Sequence, residues 1–422
     1  MRSLGLLGAG VALSAVPLRF VAPCAVALCF VACAASPGYD TGSAGATGSG
    51  GTGGMAGGGG MAGGGSTGSG LVGYVPPALS VAHPNPIISR HATTFASSGN
   101  GAPVVDGQYH NGGWGAGTLP AWVAIKLTSP ASKVLVSWDD GGTYNYEDPT
   151  GTTVYGFPAD YHFEVSADST KGTDGTWTPV GMAVTGNKVR TRAQSFDFTG
   201  MTWIKMVITA APPNEGSNGV QIAEIDVHDI SATGSADDSW FFMGDSITAF
   251  AYDRGSLHQP SFAAGINMAS PTYFPAMING GIGGELSSGG LARLDEVLGL
   301  NPDYQFICLT YGTNDEWGNH TDTSAFRSNM QMMIDKLVAA NKTPILTHIP
   351  FSDDGNHNTL PLFNAVIDDL TATNHLQVGP DFYAYFMANP TQLQDSDHVH
   401  PNDDGRLAMN KLWTTAARGF YP

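Results

Sequence analysis

The apolar run Trp240-Phe241-Phe242-Met243, cut off by Gly244-Asp245-Ser246, constrains the fold more than any other stretch of this chain. A short apolar, aromatic run bounded by a turn signal reads as a buried strand. Gly244 permits a sharp turn, and the Asp245 side chain can hold it by bonding nearby backbone. Ser246 then sits at the C-terminal end of the strand, where open α/β sheets place their chemistry. A serine hydroxyl is a poor nucleophile without a base. The candidate base lies far downstream, in Asp397-His398-Val399-His400-Pro401. Asp397 and His400 are three apart, so one turn can aim both the same way. The carboxylate would orient the imidazole, which would take the proton of Ser246. Each motif alone is weak, since Gly-Asp-Ser is more often a capped turn. Their order and separation within one domain give them weight.

From residue 236 onward strand signals alternate with helical ones, which predicts βαβ units and a parallel sheet. Strands are expected at Trp240–Met243, Ala276–Asn279, Phe306–Tyr311, Pro344–His348 and Leu376–Val378. Phe326, Met330, Met333, Ile334 and Leu337 recur at helical spacing and read as core packing. Two more stretches matter, Asn279-Gly280-Gly281-Ile282-Gly283-Gly284 and Gly312-Thr313-Asn314-Asp315. They place Gly281 and Asn314 at strand ends, where they can converge on Ser246.

Four blocks in this order resemble the SGNH (GDSL) hydrolase family. They match at Gly244-Asp245-Ser246, at Gly281, at Gly312-Thr313-Asn314-Asp315 and at Asp397 through His400. The resemblance covers roughly residues 236–422, and only the segment from Ala249 to Pro275 offers nothing to match. It implies a flavodoxin-like three-layer α/β fold with an ester-hydrolysing site. Attack on an ester carbonyl builds negative charge on oxygen, and donors must be aimed at it. The backbone N–H groups of Ser246 and Gly281 and the side-chain amide of Asn314 are the expected donors. Asp315 reads as a loop-fixing partner, and Asp395 and Asp403 as solvated. His398 beside His400 raises the question of a metal. The other histidines are dispersed and no His-Glu-x-x-His occurs, so neither metal nor cofactor is expected.

The chain upstream divides by composition. Residues 1–33 carry only Arg2 and Arg19 as charges, and Phe20 to Ala32 is apolar but too short for an ordinary span; this reads as a signal peptide. Phe30-Val31-Ala32-Cys33 resembles a bacterial lipobox, which implies acylation of Cys33. Residues 34–70 are dominated by Gly, Ser, Thr, Ala and Met, cannot bury enough apolar surface to offset their ordering entropy, and read as a flexible tether. Residues 71–235 switch to short alternating runs: Val123, Ile125 and Leu127; Val134, Val136 and Trp138; Ile204, Met206 and Ile208. Such runs between Gly, Asn, Asp and Pro turns predict an all-β sandwich. Asp106-Gly107 followed by Trp114, Tyr161 to Asp168 followed by Trp177, and Ala223 to Val227 look like a discoidin-type, galactose-binding-like jelly roll. That resemblance implies sugar binding by loops at one end. Trp114, Tyr144 and Tyr146, in Gly-, Asn- and Asp-rich surroundings, are the candidate stacking residues, although a tryptophan is more often core.

The expected architecture is therefore two domains, a jelly-roll sandwich and then an SGNH-type α/β domain. Net charge is -18, which argues against nucleic acid or an anionic membrane as partner. Three of the four cysteines lie in the leader, so no disulfide framework is expected, and Cys308 reads as a buried thiol. The leading expectation is a secreted or envelope-anchored esterase that removes short acyl groups, acetyl above all, from a polysaccharide. In that reading the membrane is met only through the Cys33 lipid. Alternatives are a lipase or arylesterase of the same fold, and a surface glycan-binding protein with an inactive hydrolase domain.

Overall fold

The structure is a computed structural model that describes residues 83–109, 113–140, 156–213, 219–252 and 260–421. Cys33, the leader, the tether at 34–70, Tyr144 and Tyr146 lie outside the described residues.

The N-terminal half is built of antiparallel strands. In chain order they are β1 (Thr93–Ala96), β2 (Trp114–Gly115), β3 (Ala121–Lys126), β4 (Lys133–Asp139), β5 (Asp160–Ser166), β6 (Thr178–Val184), β7 (Thr191–Asp197), β8 (Trp203–Ala210), β9 (Gln221–Ile222) and β10 (Glu224–Asp229). One sheet runs β1-β3-β8-β5-β6 and a second β10-β4-β7, while β2 pairs with β9. Alternation decides which side chains go inside. Val123 and Ile125 of β3, Ile204, Met206 and Ile208 of β8, and Val134, Val136 and Trp138 of β4 share one core, so the two sheets face each other as a sandwich.

Trp114 corrects an expectation. It pairs with Ile222 across β2–β9, its indole N–H donates to the Ser98 carbonyl at 2.8 Å, and it is 2% exposed. A ring in that position packs the sandwich and offers no face to a sugar.

The C-terminal half is a parallel sheet of β11 (Ser239–Gly244), β12 (Ala276–Gly281), β13 (Phe306–Thr310), β14 (Thr343–Leu346) and β15 (Gln377–Val378), in the order β12-β11-β13-β14-β15. β11 is covered on both faces, which is why it reads as an unbroken apolar run. Phe241 and Met243 point into a core shared with α3 (Ser287–Leu300), α5 (Thr323–Ala339) and α6 (Leu360–Thr373). Trp240 and Phe242 point the other way, against α1 (Ser246–Ala251), α2 (Phe262–Ala269), α7 (Phe382–Ala388) and α8 (Asp403–Ala416). The result is helix, sheet and helix in three layers. The helical spacing from Phe326 to Leu337 lies on α5, with all five apolar residues buried. A short helix, α4 (Thr313–Glu316), follows β13.

The two halves share apolar packing. Leu135 of β4 and Ala193 of β7 sit on the outer face of the three-stranded sheet, yet both are buried in one cluster with Phe241 and Tyr304. At the same contact the β7 backbone N–H groups of Ala193 and Ser195 donate to the side chains of Asn301 (3.2 Å) and Asp303 (3.1 Å). The sandwich thus covers apolar surface that the α/β half would otherwise leave wet.

Close to this contact, Asp238, the residue before β11, is fully buried, and its Oδ1 accepts from Tyr421 Oη at 2.7 Å and Trp240 Nε1 at 3.1 Å. Burial pushes its pKa up to about 7 against the pull of those two donors. An unfolded aspartate titrates near ~4. The folded chain therefore holds this proton more tightly. That contribution is complete below the unfolded value and is lost as pH rises through about 7. Unfolding free energy should fall across this window by up to about 1.4 kcal/mol per pH unit for this one group. Asp238→Asn, which keeps the acceptor and cannot ionise, should flatten that part of the curve. Denaturant titrations at a series of pH values check this; a slope unchanged in the variant would refute it.

Candidate active site

Ser246 is the first residue of α1, and Asp245 is its N-cap, with Oδ1 accepting from Ile247 N at 2.9 Å. The cap explains the aspartate: it satisfies one of the orphan donors of a helix start. The N–H of Ser246 is another of those donors and makes no hydrogen bond among the described residues. Burial raises Asp245 to about 7, and the charges of Asp315 and Glu285 push the same way.

The serine hydroxyl meets His400. Oγ lies 2.8 Å from Nε2, and His400 Nδ1 lies 2.8 Å from Asp397 Oδ2. The carboxylate fixes the tautomer: Nδ1–H donates to it, so the lone pair of Nε2 faces the serine, which donates. Asp397 Oδ1 also accepts from the backbone N–H groups of Val399 (2.9 Å) and His400 (3.0 Å). Desolvation works to raise the Asp397 pKa, but these donors and His400 outweigh it and hold the group below the usual carboxylate range. It stays ionised where the imidazole needs it. His398 takes a left-handed backbone (φ 58°), which turns the loop so that Asp397 and His400 meet. Gln394 N donates to His400 O at 2.8 Å and Leu393 bridges to Pro401, closing the loop at its neck. The Phe250 ring packs edge-on against the imidazole at 5.8 Å.

The oxyanion donors need a second correction. Gly281 lies at the end of β12, but its N–H donates to Asn279 Oδ1 at 3.0 Å. A Cβ there would lie 2.2 Å from Ala249 N, so this glycine is required by the close approach of α1. Sequence reading took it for an oxyanion donor because nothing local separates it from its neighbours. Gly284 is the alternative candidate. It has φ +74°, open space where a Cβ would be, and an N–H with no hydrogen-bond partner among the described residues. The loop that carries it is held against the nucleophile turn by Ile282 N, which donates to Gly244 O at 2.9 Å. Asn314 lies in α4 with Nδ2 donating to Glu285 O at 3.1 Å; its second amide hydrogen has no protein partner among the described residues. Asp315, fully buried, accepts from Ser287 N at 2.9 Å and so caps α3 from a distance, because Leu286 at the cap position cannot. That is the loop-fixing role expected of it.

Trp317 is a feature that sequence reading missed. It is 47% exposed, stands three residues after Asn314, and packs edge-on against His320 at 5.5 Å. His320 Nδ1 in turn donates to Asn314 O at 3.1 Å, which ties the exposed ring to the site.

Residues 242–407 match the sequence model of the GDSL-like lipase/acylhydrolase family. The match lies within the C-terminal, parallel-sheet region of the chain. Among solved structures, the chain is similar to a lipase/acylhydrolase from Enterococcus faecalis, at 23% identity and a TM-score of 0.37 over 43% of this chain and 95% of that one. It is also similar to an acetylxylan esterase from Geobacillus stearothermophilus, at 19% identity and a TM-score of 0.36 over 43% of this chain and 94% of that one. An α/β hydrolase from the metagenome of Lake Arreo gives 17% identity and a TM-score of 0.38 over 44% and 98% of the two chains. No curated protein sequence matches the chain.

The two glycines should separate experimentally. Gly281→Ala drives a methyl into α1 and should cost about 1–3 kcal/mol of stability, read by denaturant titration. Gly284→Ala meets open space; its positive φ strains the loop by about 1–2 kcal/mol. It should therefore lower the ester-hydrolysis rate constant about 10-fold or more, with a stability loss no larger than that strain. Full activity in purified Gly284→Ala would return the donor role to another group.

Proposed function

We propose that this protein is a serine esterase that works through an acyl-enzyme, and that its natural substrates are short acyl esters, acetyl above all, on a polysaccharide. The observation that carries the reading is the continuous chain from Ser246 Oγ through His400 to Asp397, with 2.8 Å at each link. Ser246 Oγ attacks the ester carbonyl carbon while His400 Nε2 takes its proton. The oxyanion is met by Ser246 N–H, Gly284 N–H and the free amide hydrogen of Asn314. Collapse expels the sugar alkoxide, which takes the proton from His400 and leaves as an alcohol. Water then attacks the acyl-serine, gives its proton to His400, and the carboxylic acid departs as Ser246 recovers its hydrogen. Asp397 stays ionised throughout and steadies the imidazolium.

Carbohydrate as the alcohol half is supported by the half-exposed Trp317 at the rim, a ring on which a pyranose can stack. It is also supported by the net charge of -18, which repels phosphate-bearing partners. The sandwich, read as a galactose-binding-like jelly roll, would then hold polymer or brace the hydrolase. With Trp114 buried and Tyr144 and Tyr146 outside the described residues, the nearer aromatic candidate is Trp317. A secreted, envelope-anchored location through a lipid on Cys33 fits a polymer substrate. Mass spectrometry of the native N-terminal peptide tests it: diacylglyceryl mass on Cys33 is expected, and a free amino terminus beyond it would rule the anchor out.

Short-acyl preference rests on the sequence: Ser256, His258, Gln259, Ser261 and Asn267 between Ser246 and Gly281, and Leu393-Gln394-Asp395-Ser396 before His400, leave no amphipathic run long enough for an apolar lid. A trough for a long chain would gain about 0.8 kcal/mol per buried CH₂, and activity would climb with chain length. We expect a falling profile instead, with octanoyl at least ~10-fold below acetyl in kcat/KM, about 1.4 kcal/mol. The measurement is a series of p-nitrophenyl esters below their micellar concentrations, with Ser246→Ala as control. A maximum at octanoate or beyond would promote the lipase reading. Turnover retained by Ser246→Ala would overturn the esterase assignment itself.

A further inference from the structure

The loop between β12 and α3 carries the Gly284 donor, yet it is too polar and too glycine-rich to hold itself in place. What fixes it is a buried ionic cluster that the chemistry does not consume. Glu285 and Arg293 side chains are each 8% exposed. Arg293 Nε donates to Glu285 Oε1 at 2.7 Å and Nη2 to Oε2 at 2.6 Å, a two-pronged pair. Tyr311 Oη donates to the same Oε2 at 2.7 Å, and Arg293 Nη2 reaches back to Gly280 O at 2.7 Å. The cluster therefore spans the end of β12, the loop, α3 and the residue after β13.

Two features show that the fold makes room for it. Gly290, in the first turn of α3, has the Tyr311 ring where a side chain would go: a Cβ would lie 2.5 Å from both Cζ and Oη. Gly289 likewise faces Glu285, with a Cβ position 3.0 Å from its Cγ. Adjacent glycines inside a helix weaken it. A buried ion pair, for its part, is a poor source of stability, since apolar residues of like size often do as well. The arrangement is therefore better explained by geometry than by stability. Glu285 touches both Gly284 and Asn314 through its backbone: its carbonyl holds the Asn314 amide, and its nitrogen is bonded to the carbonyl carbon of Gly284.

We propose that Glu285, clamped by Arg293 and Tyr311, is the positioning residue of this site. It sets the Gly284 N–H and the Asn314 amide at the separation that a tetrahedral oxyanion requires. The inference rests on the esterase reading above. Its consequence is selective: loss of the clamp loosens transition-state binding and leaves ground-state binding nearly alone.

The test is steady-state hydrolysis of p-nitrophenyl acetate by the full chain with Glu285→Gln, Arg293→Met and the conservative Tyr311→Phe. Glu285→Gln and Arg293→Met should lower kcat by about 10- to 100-fold with KM within about 2-fold, and Tyr311→Phe by about 3- to 10-fold. Combining Glu285→Gln with Asn314→Ala should cost less than the sum of the two single losses, because the clamp acts partly through that amide. A boronic acid that forms a tetrahedral adduct on Ser246 should lose affinity in parallel with kcat. Wild-type kcat in Glu285→Gln and Tyr311→Phe would overturn the proposal, as would full additivity with Asn314→Ala. If Arg293→Met fails to fold, Tyr311→Phe and Glu285→Gln still decide. Failure of the esterase reading looks different: Ser246→Ala would then keep its turnover and no variant would depend on the serine.

Discussion

The structure depends on β11 being hydrogen-bonded in parallel on both sides. Gly244 pairs with Gly281 of β12 and with Thr310 of β13, so three strands end at one level and three loops leave the sheet together. Parallel pairing of this kind is stable only when both faces are covered. Here they are covered by aromatic packing: Trp240 stacks on Phe306 at 4.2 Å, and Phe242 on Tyr252 at 4.1 Å. A strand so held is a rigid mount. Ser246 is its next residue but one, and Gly284 and Asn314 come from the loops beside it. No residue of the site needs a long side chain to reach its place, which limits the entropy lost when the transition state forms.

Much of this was legible in the sequence because it is local. The apolar run of β11, the helical spacing of α5 and the three-residue step from Asp397 to His400 depend on neighbours, and the structure has each where the pattern put it. What was not legible depends on partners distant in the chain. Four glycines stand between Asn279 and Glu285, and composition cannot say which N–H is left unbonded. That is decided by Asn279 folding back onto Gly281 and by α1 pressing on the same residue. Trp114 misled for a related reason. Its neighbours are turn formers, but it is buried by a strand more than a hundred residues away. Trp317 was passed over because a single aromatic in a loop carries no pattern.

The join between the halves bears on how the protein should be regarded. Leu135 and Ala193 fill the hydrolase core from the sandwich side, and Asn301 and Asp303 bond the β7 backbone that an edge strand would otherwise expose. The sandwich is thus part of the hydrolase's envelope rather than a bead on a string. Any ligand it held would be presented at a fixed orientation to the site, with no hinge to be entropically restrained.

The loop from Gln394 to Pro401 has a thermal consequence. Asp397 bonds both the ring and the backbone N–H of His400, and the loop is closed by contacts at its own neck. Orienting acid and base therefore have one shared fate: they cannot drift apart gradually as the molecule warms. Opening of this loop removes both at once, from a molecule whose sheet is still intact. If this loop opens before the sheet melts, activity is lost ahead of the fold, and catalysis reports on this corner earlier than any spectroscopic signal from the aromatic core.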